Sequence, residues 1–466
     1  MIELGIDEIA DATGGRVLGD GAARVTGPVV IDSRLVTPGA LFVALPGDHV
    51  DGHEFVAAAV AAGAAAVLVA HEVDAPAAVV VDDVQTALGA LAREVLARLR
   101  AEGPLEVVGI TGSVGKTTTK DLVGQLLAAE APTVVPQGSF NNEIGLPLTV
   151  LEADASTRYL VLEMGASGIG HLTYLTGIAA PDIAVVLVVG SAHLGEFGGV
   201  EAIARAKAEL VEGIRPGGTA ILNGDDLRVA AMAAQAHGAV VTFGTVTGVD
   251  VRAQDVRIDR DGRATFTLVV GESSARVALR LVGEHHVTNA LAAATVATRL
   301  GLDLAVVAER LSGATAVSPH RMQVTERPDG VTIIDDSYNA NPDSMRAALR
   351  ALAVVAGRDR RSIAVLGEML ELGDDSRERH DEVGRLAVRL NVRLTIVVGD
   401  GAWAIREGAM MEGSWGDEVV HVADVDAARA VLAEEVQPGD VVLVKGSHGT
   451  GLWRLGDELA GTGGDA

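Results

Sequence analysis

Hydrophobic positions along the chain form short continuous runs more often than alternating patterns. Runs of this kind lie at residues 41–45, 67–70, 79–81, 105–110, 159–162, 183–189, 219–222, 331–334, 363–366, 394–398 and 441–444. Longer segments with helical spacing of apolar residues separate many of them, at 86–100, 118–129, 200–214, 345–355 and 379–390. Strands that are buried on both faces have continuous apolar sequences. The alternation of such strands with helices therefore predicts an α/β protein built on parallel sheets.

One stretch of the chain follows a different pattern. Three strand-like segments at 251–258, 264–270 and 275–281 are separated only by short polar turns at 261–263 and 271–273. Segments joined by turns this short pair as neighbours in opposite directions. We therefore expect a small antiparallel meander inserted in the middle of the chain.

Two breaks in the pattern predict domain boundaries. The segment 101–104 follows the helix at 86–100 and precedes a new α/β run, and the small-residue segment 312–319 precedes another. The chain length also suggests several domains. We predict three: residues 1–84, residues 85–313 with the helix 86–100 leading in, and residues 314–466. The middle domain would contain a nucleotide-binding parallel sheet, and the last would be Rossmann-like.

Composition narrows the functional classes. The 466 residues are 48 % hydrophobic and 21 % charged, as in ordinary globular proteins, which excludes general disorder. The 63 acidic and 37 basic side chains give a net charge of −26, which argues against nucleic-acid partners and anionic membrane surfaces. Cysteine is absent, so thiolate chemistry and disulfides are excluded. The sequence shows no signal peptide, and its apolar run at 55–70 is interrupted at Gly63. We expect a cytoplasmic protein without a membrane span.

The most informative local motif is GITGSVGKTTTK at residues 109–120, which follows a predicted strand and precedes a predicted helix. Glycines let backbone N–H groups turn towards a phosphate, and the helix N-terminus adds positive potential. Lys116 would then reach the β- and γ-phosphates, and the Thr117 hydroxyl would bind Mg²⁺. The predicted ATP-binding loop comprises Gly112, Ser113, Val114, Gly115, Lys116, Thr117 and Thr118.

The glycine spacing in this motif differs from the usual G-x-x-x-x-G-K-[ST], because the glycines fall at 109, 112 and 115. The alternative interpretation is an ordinary glycine-rich turn. A phosphate loop also occurs in switch proteins, transporters, kinases and ligases, so it does not by itself identify a reaction.

Further motifs follow one another along almost the whole chain. They are DSR and LFVALPGDHVDGHEF at 32–34 and 41–55, NNEIGLPLT at 141–149, LEMGASGIGHL at 162–172, AHLGEFGG and AKAEL at 192–199 and 206–210, LNGDD at 222–226, GEHHVTNALAA at 283–293, HRMQV at 320–324, DDSYNANPDSM at 335–345, LGEMLELGDDS at 366–376 and VKGSHG at 444–449. Together they resemble the Mur ligases, the ATP-dependent amide-forming ligases of cell-wall peptide assembly. DDSYNANPDSM is the most specific element, because the diamino-acid-adding members usually show a D-Y-A-H-T-P-D type of sequence there. Within the family, the chain is most similar to members that join D-alanyl-D-alanine to UDP-N-acetylmuramoyl-tripeptide.

The resemblance implies an acyl-phosphate mechanism that uses ATP and two Mg²⁺ ions. It implies that Glu163 binds Mg²⁺ beside Thr117 and that His193 binds a second metal ion. Lys207 would be a ligand after carbamylation to N6-carboxylysine, since a bare ammonium group would be repelled by the metal. The implied catalytic residues are Lys116, Glu163, His193 and Lys207. Without the resemblance, Glu163 would be a strand-end carboxylate that faces solvent, His193 a structural histidine and Lys207 a solvated lysine on a helix.

The resemblance also implies the contacts that hold the substrates. Asn289 would contact adenine, Arg321 the γ-phosphate and Asp336 the ribose. The remaining implied substrate contacts are Ser33 and Arg34 to the uridine diphosphate, and Asn142 and Ser167 near the reacting carboxylate or metal. Without the resemblance, Ser33 and Arg34 would form a turn with a surface arginine. Asp336 would be an aspartate at a strand end, and Arg321 a surface arginine after a linker. The chain departs from the family pattern at His286, where asparagine is frequent, and at His448, where arginine is usual.

Three other functions remain open at this point. A diamino-acid-adding ligase of the same build is disfavoured by the sequence YNANP at 338–342, and a folylpolyglutamate synthase by the separate domain that carries Ser33 and Arg34. A nucleotide-dependent regulator would not need the set of Glu163, His193 and Lys207. The expected partners are therefore two small-molecule substrates, and we expect a monomer.

Overall fold

The structure is a computed structural model that describes residues 1–47, 50–190, 199–413 and 418–461. The helices within these ranges are α1 (Ile6–Thr13), α2 (Val56–Ala61), α3 (Val84–Glu102), α4 (Lys116–Ala128), α5 (Gly145–Glu152), α6 (His171–Ile178), α7 (Val200–Glu212), α8 (Leu227–Ala231), α9 (His286–Arg299), α10 (Leu304–Gly313), α11 (Pro342–Ala356), α12 (Ser376–Arg389), α13 (Trp403–Glu412), α14 (Val425–Glu435) and α15 (Leu452–Ala460). No helix in the described ranges is both long and apolar enough to cross a bilayer.

The strands form one two-stranded ribbon and three larger sheets. They are β1 (Leu4–Gly5), β2 (Arg16–Gly19), β3 (Arg24–Val25), β4 (Val29–Val30), β5 (Leu41–Val43), β6 (Ala66–Val69), β7 (Ala77–Val80), β8 (Glu106–Thr111), β9 (Thr133–Val134), β10 (Tyr159–Glu163), β11 (Ile183–Val186), β12 (Thr219–Asn223), β13 (Ala239–Gly244), β14 (Val251–Ile258), β15 (Arg263–Val270), β16 (Ser273–Val282), β17 (Gln323–Glu326), β18 (Thr332–Asp335), β19 (Ser362–Leu366), β20 (Leu394–Val398), β21 (Val419–Val422) and β22 (Val441–Lys445). The predicted α/β class is confirmed.

The N-terminal sheet has the strand order β2-β7-β6-β5-β4. Strands β4 to β7 pair in parallel, and β2 pairs antiparallel with β7 at one edge. Helix α3 leaves this sheet and packs against both α1 and α5, and its buried face is rich in leucine, valine and alanine. Helix α3 therefore joins the first sheet to the second through one continuous apolar core.

The central sheet has nine strands in the order β16-β15-β14-β13-β12-β11-β8-β10-β9. Its strands from β9 to β13 are parallel, and β8 and β10 are entirely or almost entirely buried, which explains their continuous apolar sequences. The predicted antiparallel meander is β14-β15-β16. It is continuous with the main sheet, because β14 pairs in parallel with β13 through Phe243 and Val251.

The C-terminal sheet has the order β17-β18-β22-β19-β20-β21 and is parallel except for β17. Apolar clusters cover both of its faces, as in Rossmann-like folds. The sheets lie within residues 4–80, 106–282 and 323–445. The two domain boundaries predicted above, and the three domains that they define, stay predictions.

Candidate active site

The phosphate loop, residues 112–115, lies between β8 and the N-terminus of α4. Gly115 has a φ of +84°, and an added Cβ there would lie 2.4 Å from Oδ1 of Asn289. The Nζ of Lys116 donates a hydrogen bond to the Gly112 carbonyl at 2.9 Å, and Ser113 Oγ accepts one from Gly190 N at 2.9 Å. The loop therefore lies at the N-terminus of α4, where the partial positive charge of a helix favours an anion. The helix begins at Lys116, earlier than the predicted start at residue 118.

Glu163 is the last residue of β10, which pairs directly with β8. The Thr117 hydroxyl donates to Glu163 Oε2 at 2.9 Å, and Asn141 Nδ2 donates to Oε1 at 2.8 Å. The glutamate is buried, with an exposure of 1 %. The alternative interpretation, in which Glu163 is a strand-end carboxylate that faces solvent, is therefore wrong.

The Glu163 and Thr117 oxygens fit a magnesium ion. Mg²⁺ takes hard oxygen ligands in an octahedron at 2.0–2.1 Å, so neighbouring ligand oxygens lie about 2.9 Å apart. The Thr117 and Glu163 oxygens lie 2.9 Å apart. The buried carboxylate supplies the negative charge that a divalent cation needs.

A cavity of about 450 Å³ opens beside these groups. Twelve of the residues singled out by sequence line it: Ser113, Val114, Gly115, Lys116, Thr117, Thr118, Asn142, Glu163, Ser167, Asn289, Arg321 and Asp336. Arg321 and Asp336 come from the last sheet region and the others from the central one. The structure thus brings the predicted nucleotide contacts of two regions to one cavity.

On the C-terminal side, Arg321 and Asp336 are both tightly held. The Arg321 guanidinium lies over the Tyr338 ring, 4.1 Å from its centroid, and donates to Ser139 Oγ at 3.3 Å. Asp336 Oδ2 accepts a 2.5 Å hydrogen bond from Lys445 Nζ. Burial lowers the pKa of Lys445, although the Asp336 carboxylate opposes that effect.

The structure also shows site residues that the sequence did not identify. Asn141 donates to Glu163, whereas its neighbour Asn142 accepts the N–H of Gly145, the first residue of α5, at 2.9 Å. Tyr338 supports Arg321 from within the DDSYNANPDSM motif. No local pattern distinguishes Asn141 from Asn142, because the partner of each is set by the tertiary fold.

Asn289 lies on α9, next to the phosphate loop. Its Nδ2 is 3.2 Å from Nδ1 of His286, the residue that departs from the family pattern. Burial lowers the pKa of His286 well below its ordinary value, so this ring is neutral. A neutral ring nitrogen can accept the asparagine N–H, which fixes the Asn289 amide beside Gly115.

Lys207 is buried on α7, with an exposure of 3 %, and is not among the described residues that line the cavity. Burial lowers its pKa from 10.5 to about 7, and the positive charge of Lys116 adds to that effect. The helix lysine is therefore not a solvated one. Burial also lowers the pKa of Lys116, which Glu163 opposes.

Two other predicted sites lie elsewhere. Ser33 and Arg34 begin a short 3₁₀ helix in the N-terminal region and are not among the described residues that line the cavity. The Arg34 guanidinium is largely exposed and pairs with Asp32 at 2.6 Å, which lowers the pKa of Asp32 to about 2. His193 lies outside the described residues.

Family models match the chain in three consecutive segments. The Mur ligase family catalytic domain matches residues 28–100, the Mur ligase middle domain residues 110–297, and the Mur ligase glutamate ligase domain residues 320–448. The UDP-N-acetylmuramoyl-tripeptide–D-alanyl-D-alanine ligase of Mycobacterium tuberculosis is 49 % identical and covers 98 % of each chain. The chain belongs to the Mur ligase family.

Solved structures of Mur ligases agree with this assignment. The crystal structure of MurF from Acinetobacter baumannii matches with a TM-score of 0.87 and 33 % identity over 99 % of each chain. That of MurF from Thermotoga maritima in complex with ADP matches with a TM-score of 0.80 and 31 % identity, covering 94 % of this chain and 98 % of that one. This Mur ligase is therefore an ATP-using enzyme that forms carbon–nitrogen bonds.

Proposed function

We propose that this Mur ligase joins D-alanyl-D-alanine to UDP-N-acetylmuramoyl-tripeptide and converts ATP to ADP and phosphate. One observation carries the proposal: a single cavity combines the phosphate loop and Glu163 with Arg321 and Asp336. The Mycobacterium tuberculosis relative, with nearly half of its residues identical, bears the name of this activity. The motif at 335–345 also favours D-alanyl-D-alanine as the substrate, because Mur ligases that add a diamino acid usually have a different sequence there.

The first step makes the tripeptide carboxylate electrophilic. Its oxygen attacks the γ-phosphorus of ATP, the bond to the β-phosphate oxygen breaks, and ADP leaves an acyl phosphate behind. Two anions must approach each other, so catalysis depends on positioning and on compensating charge. Lys116 and Arg321, from two different regions of the chain, supply that charge, and Asn289 and Asp336 hold the nucleoside.

The second step forms the amide. The amine of D-alanyl-D-alanine attacks the acyl carbonyl, phosphate leaves, and the nitrogen loses a proton. Water would hydrolyse the acyl phosphate, so the cavity must be closed when that intermediate forms. Arg321 and Tyr338, which stack on each other, line the cavity from the C-terminal region.

We propose that Thr117 and Glu163 hold a Mg²⁺ ion, which neutralises charge on the triphosphate. A second ion would be held by Lys207 as N6-carboxylysine together with His193, which lies outside the described residues. The lowered pKa of Lys207 supports the modification, because only a neutral amine adds to CO₂. Ser167, on the cavity wall, and Asn142 would lie near the reacting carboxylate.

The N-terminal domain, residues 1–84, would hold the uridine diphosphate through Ser33 and Arg34. An arginine fork can bind a diphosphate with two parallel hydrogen bonds, and Arg34 is exposed enough to exchange Asp32 for that ligand. Residues 85–313 would bind ATP, and residues 314–466 would deliver the dipeptide amine. We propose a monomeric enzyme that works in the cytoplasm, where ATP is supplied.

Phosphate release and mass spectrometry test the proposed reaction. The purified chain should release phosphate from ATP only when UDP-muramoyl-tripeptide and D-alanyl-D-alanine are both present, and the product should be the pentapeptide. Glu163→Gln keeps the size of the side chain and removes its charge, and turnover should fall about a hundredfold or more. Turnover with free diaminopimelate or lysine and the dipeptide precursor would instead assign the chain to a sibling activity.

A further inference from the structure

Helix α4 carries a buried ion pair one turn beyond the phosphate loop. Lys120 and Asp121 have exposures of 1 % and 8 %, and Lys120 Nζ lies 2.7 Å from Asp121 Oδ1. A buried pair of this kind adds little net stability, because desolvation offsets the attraction between its charges. The role of the Lys120–Asp121 pair must therefore be inferred from its contacts with other parts of the chain.

Those contacts reach two other segments of the chain. Lys120 Nζ donates to the carbonyls of Pro136 at 2.9 Å and Gly138 at 3.0 Å, and it lies 3.5 Å from Ser318 Oγ. Asp121 Oδ2 accepts the backbone N–H of Ser318 at 3.1 Å. The pair thus joins the phosphate-loop helix to the linker between α10 and β17.

Gln125, the next turn along α4, holds the same linker at a second place. Its Nε2 donates to the carbonyl of Thr315 and its Oε1 accepts the N–H of Thr315, each at 3.1 Å. The linker side chain Val317 is 62 % exposed, so it adds little to this attachment. We call Lys120, Asp121 and Gln125, with the linker residues Thr315 and Ser318, the linker clasp.

The linker leads directly to Arg321. On either side of that arginine, His320 and Met322 have φ values of +57° and +52°, a region that such residues occupy only when their surroundings fix them. His320 Nδ1 lies 2.7 Å from Asp335 Oδ2, and Met322 N donates to Asp336 Oδ1 at 3.1 Å. The Arg321 backbone is therefore held by the linker clasp before it and by the two aspartates after it.

The acceptor of Arg321 is held by the same lysine. Ser139, which accepts the guanidinium, follows Gly138, and the Gly138 carbonyl accepts the Lys120 ammonium. Lys120 thus lies between the segment that carries the acceptor and the linker that carries the donor. A shift of the linker along α4 would move Arg321 relative to the phosphate loop.

We propose that Lys120, Asp121 and Gln125 are positioning residues that set the place of Arg321 in the nucleotide site by holding the linker on the phosphate-loop helix. The inference rests on the role proposed above for Arg321 as a contact of the γ-phosphate. ADP lacks that phosphate, so loss of the linker clasp weakens binding of the triphosphate and leaves ADP binding nearly unchanged.

Calorimetry on the full chain with Mg²⁺ tests this role, using ADP and a non-hydrolysable ATP analogue as ligands. The variants are Gln125→Leu, the charge-free pair Lys120→Met with Asp121→Asn, and Arg321→Ala. Each should weaken binding of the triphosphate about tenfold, the scale of one hydrogen bond to a charged group, and change ADP affinity less than about twofold. Val317→Ala, on the solvent side of the linker, is the matched control and should change neither affinity.

A double-variant cycle separates positioning from general damage. Adding Gln125→Leu to Arg321→Ala should cause no further loss of triphosphate affinity, because both remove the same contact. The proposal is wrong if the two losses of triphosphate affinity multiply in the double variant, or if the affinities for ADP and for the triphosphate fall equally. It is also wrong if Arg321→Ala leaves the ratio of the two affinities unchanged. Should the buried double variant fail to fold, Gln125→Leu decides the question. These measurements need no muramoyl substrate, so they are independent of the ligase assay.

Discussion

Lys207 illustrates how burial can prepare one side chain for chemistry. Its pKa of about 7 contrasts with the ordinary value of 10.5, and burial is the main cause. As the pH rises through about 7, a growing fraction of the folded chain therefore carries the neutral amine. A rise in pH favours the carbamate in two ways. It increases the fraction of neutral amine, which is the form that adds to CO₂, and it removes the proton that the addition releases.

We expect carbamylation of Lys207 to increase as the pH rises from 6 to 8 at constant CO₂ pressure. Carbon-13 NMR with labelled CO₂ should detect one carbamate signal that Lys207→Met abolishes. Lys207→Ala should lower turnover about a hundredfold, the scale of losing a charge-stabilising group, and a short carboxylic acid should restore part of it. Near-normal turnover of Lys207→Ala would contradict the role.

The sequence predicted several residues that line the cavity, but not the residues that support them. Lys116, Thr117 and Glu163 belong to motifs whose spacing is local, and the structure places all three at one cavity. Asn141 and Lys120 act through partners 22 and 198 positions away, at Glu163 and Ser318, which no local spacing encodes. Lys120 in particular follows three threonines and has the sequence of an ordinary helix lysine.

Among the elements, the turn from β8 into α4 places two demands on one residue, Gly115. Gly115 has a positive φ, and Asn289 occupies the space where a Cβ would lie. This explains why glycine is needed immediately before Lys116, even though the motif spacing is unusual. The loop and α9 are therefore fitted to each other.

Gly115→Ala should cost about 1–2 kcal/mol of stability from the left-handed backbone alone, and it should also displace Asn289. We expect a lower midpoint in guanidinium unfolding and at least tenfold weaker ADP binding. Gly177→Ala is the control, because this exposed glycine in α6 has no atom within 4 Å of an added Cβ. That substitution should raise stability by up to about 1 kcal/mol and leave ADP binding unchanged. Equal effects of the two substitutions would contradict this explanation.

Long strands and amphipathic helices were predictable, but short or uniformly buried elements were not. Strands β1, β3 and β4 have only two residues each, too few to show a pattern. Helix α9 is buried on nearly every side, so its apolar residues show no helical period. The meander was predicted from its turns, whereas its junction with the parallel sheet depends on the pairing of β13 with β14.

At the scale of the whole molecule, the C-terminal region also contacts the antiparallel strands of the central sheet. An added Cβ at Gly262, in the turn between β14 and β15, would lie 3.0 Å from Cγ2 of Val355 on α11. This matches the separation, about 3.0 Å, between a Cβ and the far sulfur of a disulfide. Because the chain has no cysteine, an introduced pair has no competing partner.

The pair Gly262→Cys and Val355→Cys should therefore form a disulfide that holds the two regions together. Both regions line the cavity, and the disulfide opposes any separation of the two during the reaction cycle, so oxidation should lower turnover about tenfold and reduction should restore it. The positive φ at residue 262 costs about 1 kcal/mol in both redox states, so each state must be compared within the same variant. Full turnover in the oxidised form would show that this contact persists through the cycle. Each single variant is the matched control.

The net charge of −26 is a property of the whole molecule that bears on its choice of ligand. The described residues that line the cavity include three lysine and arginine side chains, Lys116, Arg321 and Lys445, so an acidic protein still offers local positive charge to an anion. Long polyanions need an extended basic face, whereas a nucleotide needs only a local one. The excess of carboxylates therefore restricts the size of the anionic ligand and not its charge.

The strand order of the central sheet has a consequence for synthesis of the chain. Strand β8, which carries the phosphate loop, lies between β10 and β11, which leave the ribosome after it, and Asn289 joins the loop later still. Pairing of distant parallel strands is slow, whereas β14, β15 and β16 pair with their immediate neighbours in sequence. During translation, the antiparallel strands can form while the older phosphate loop still lacks Asn289. The phosphate loop can therefore reach its final surroundings only well after its own motif has been synthesised.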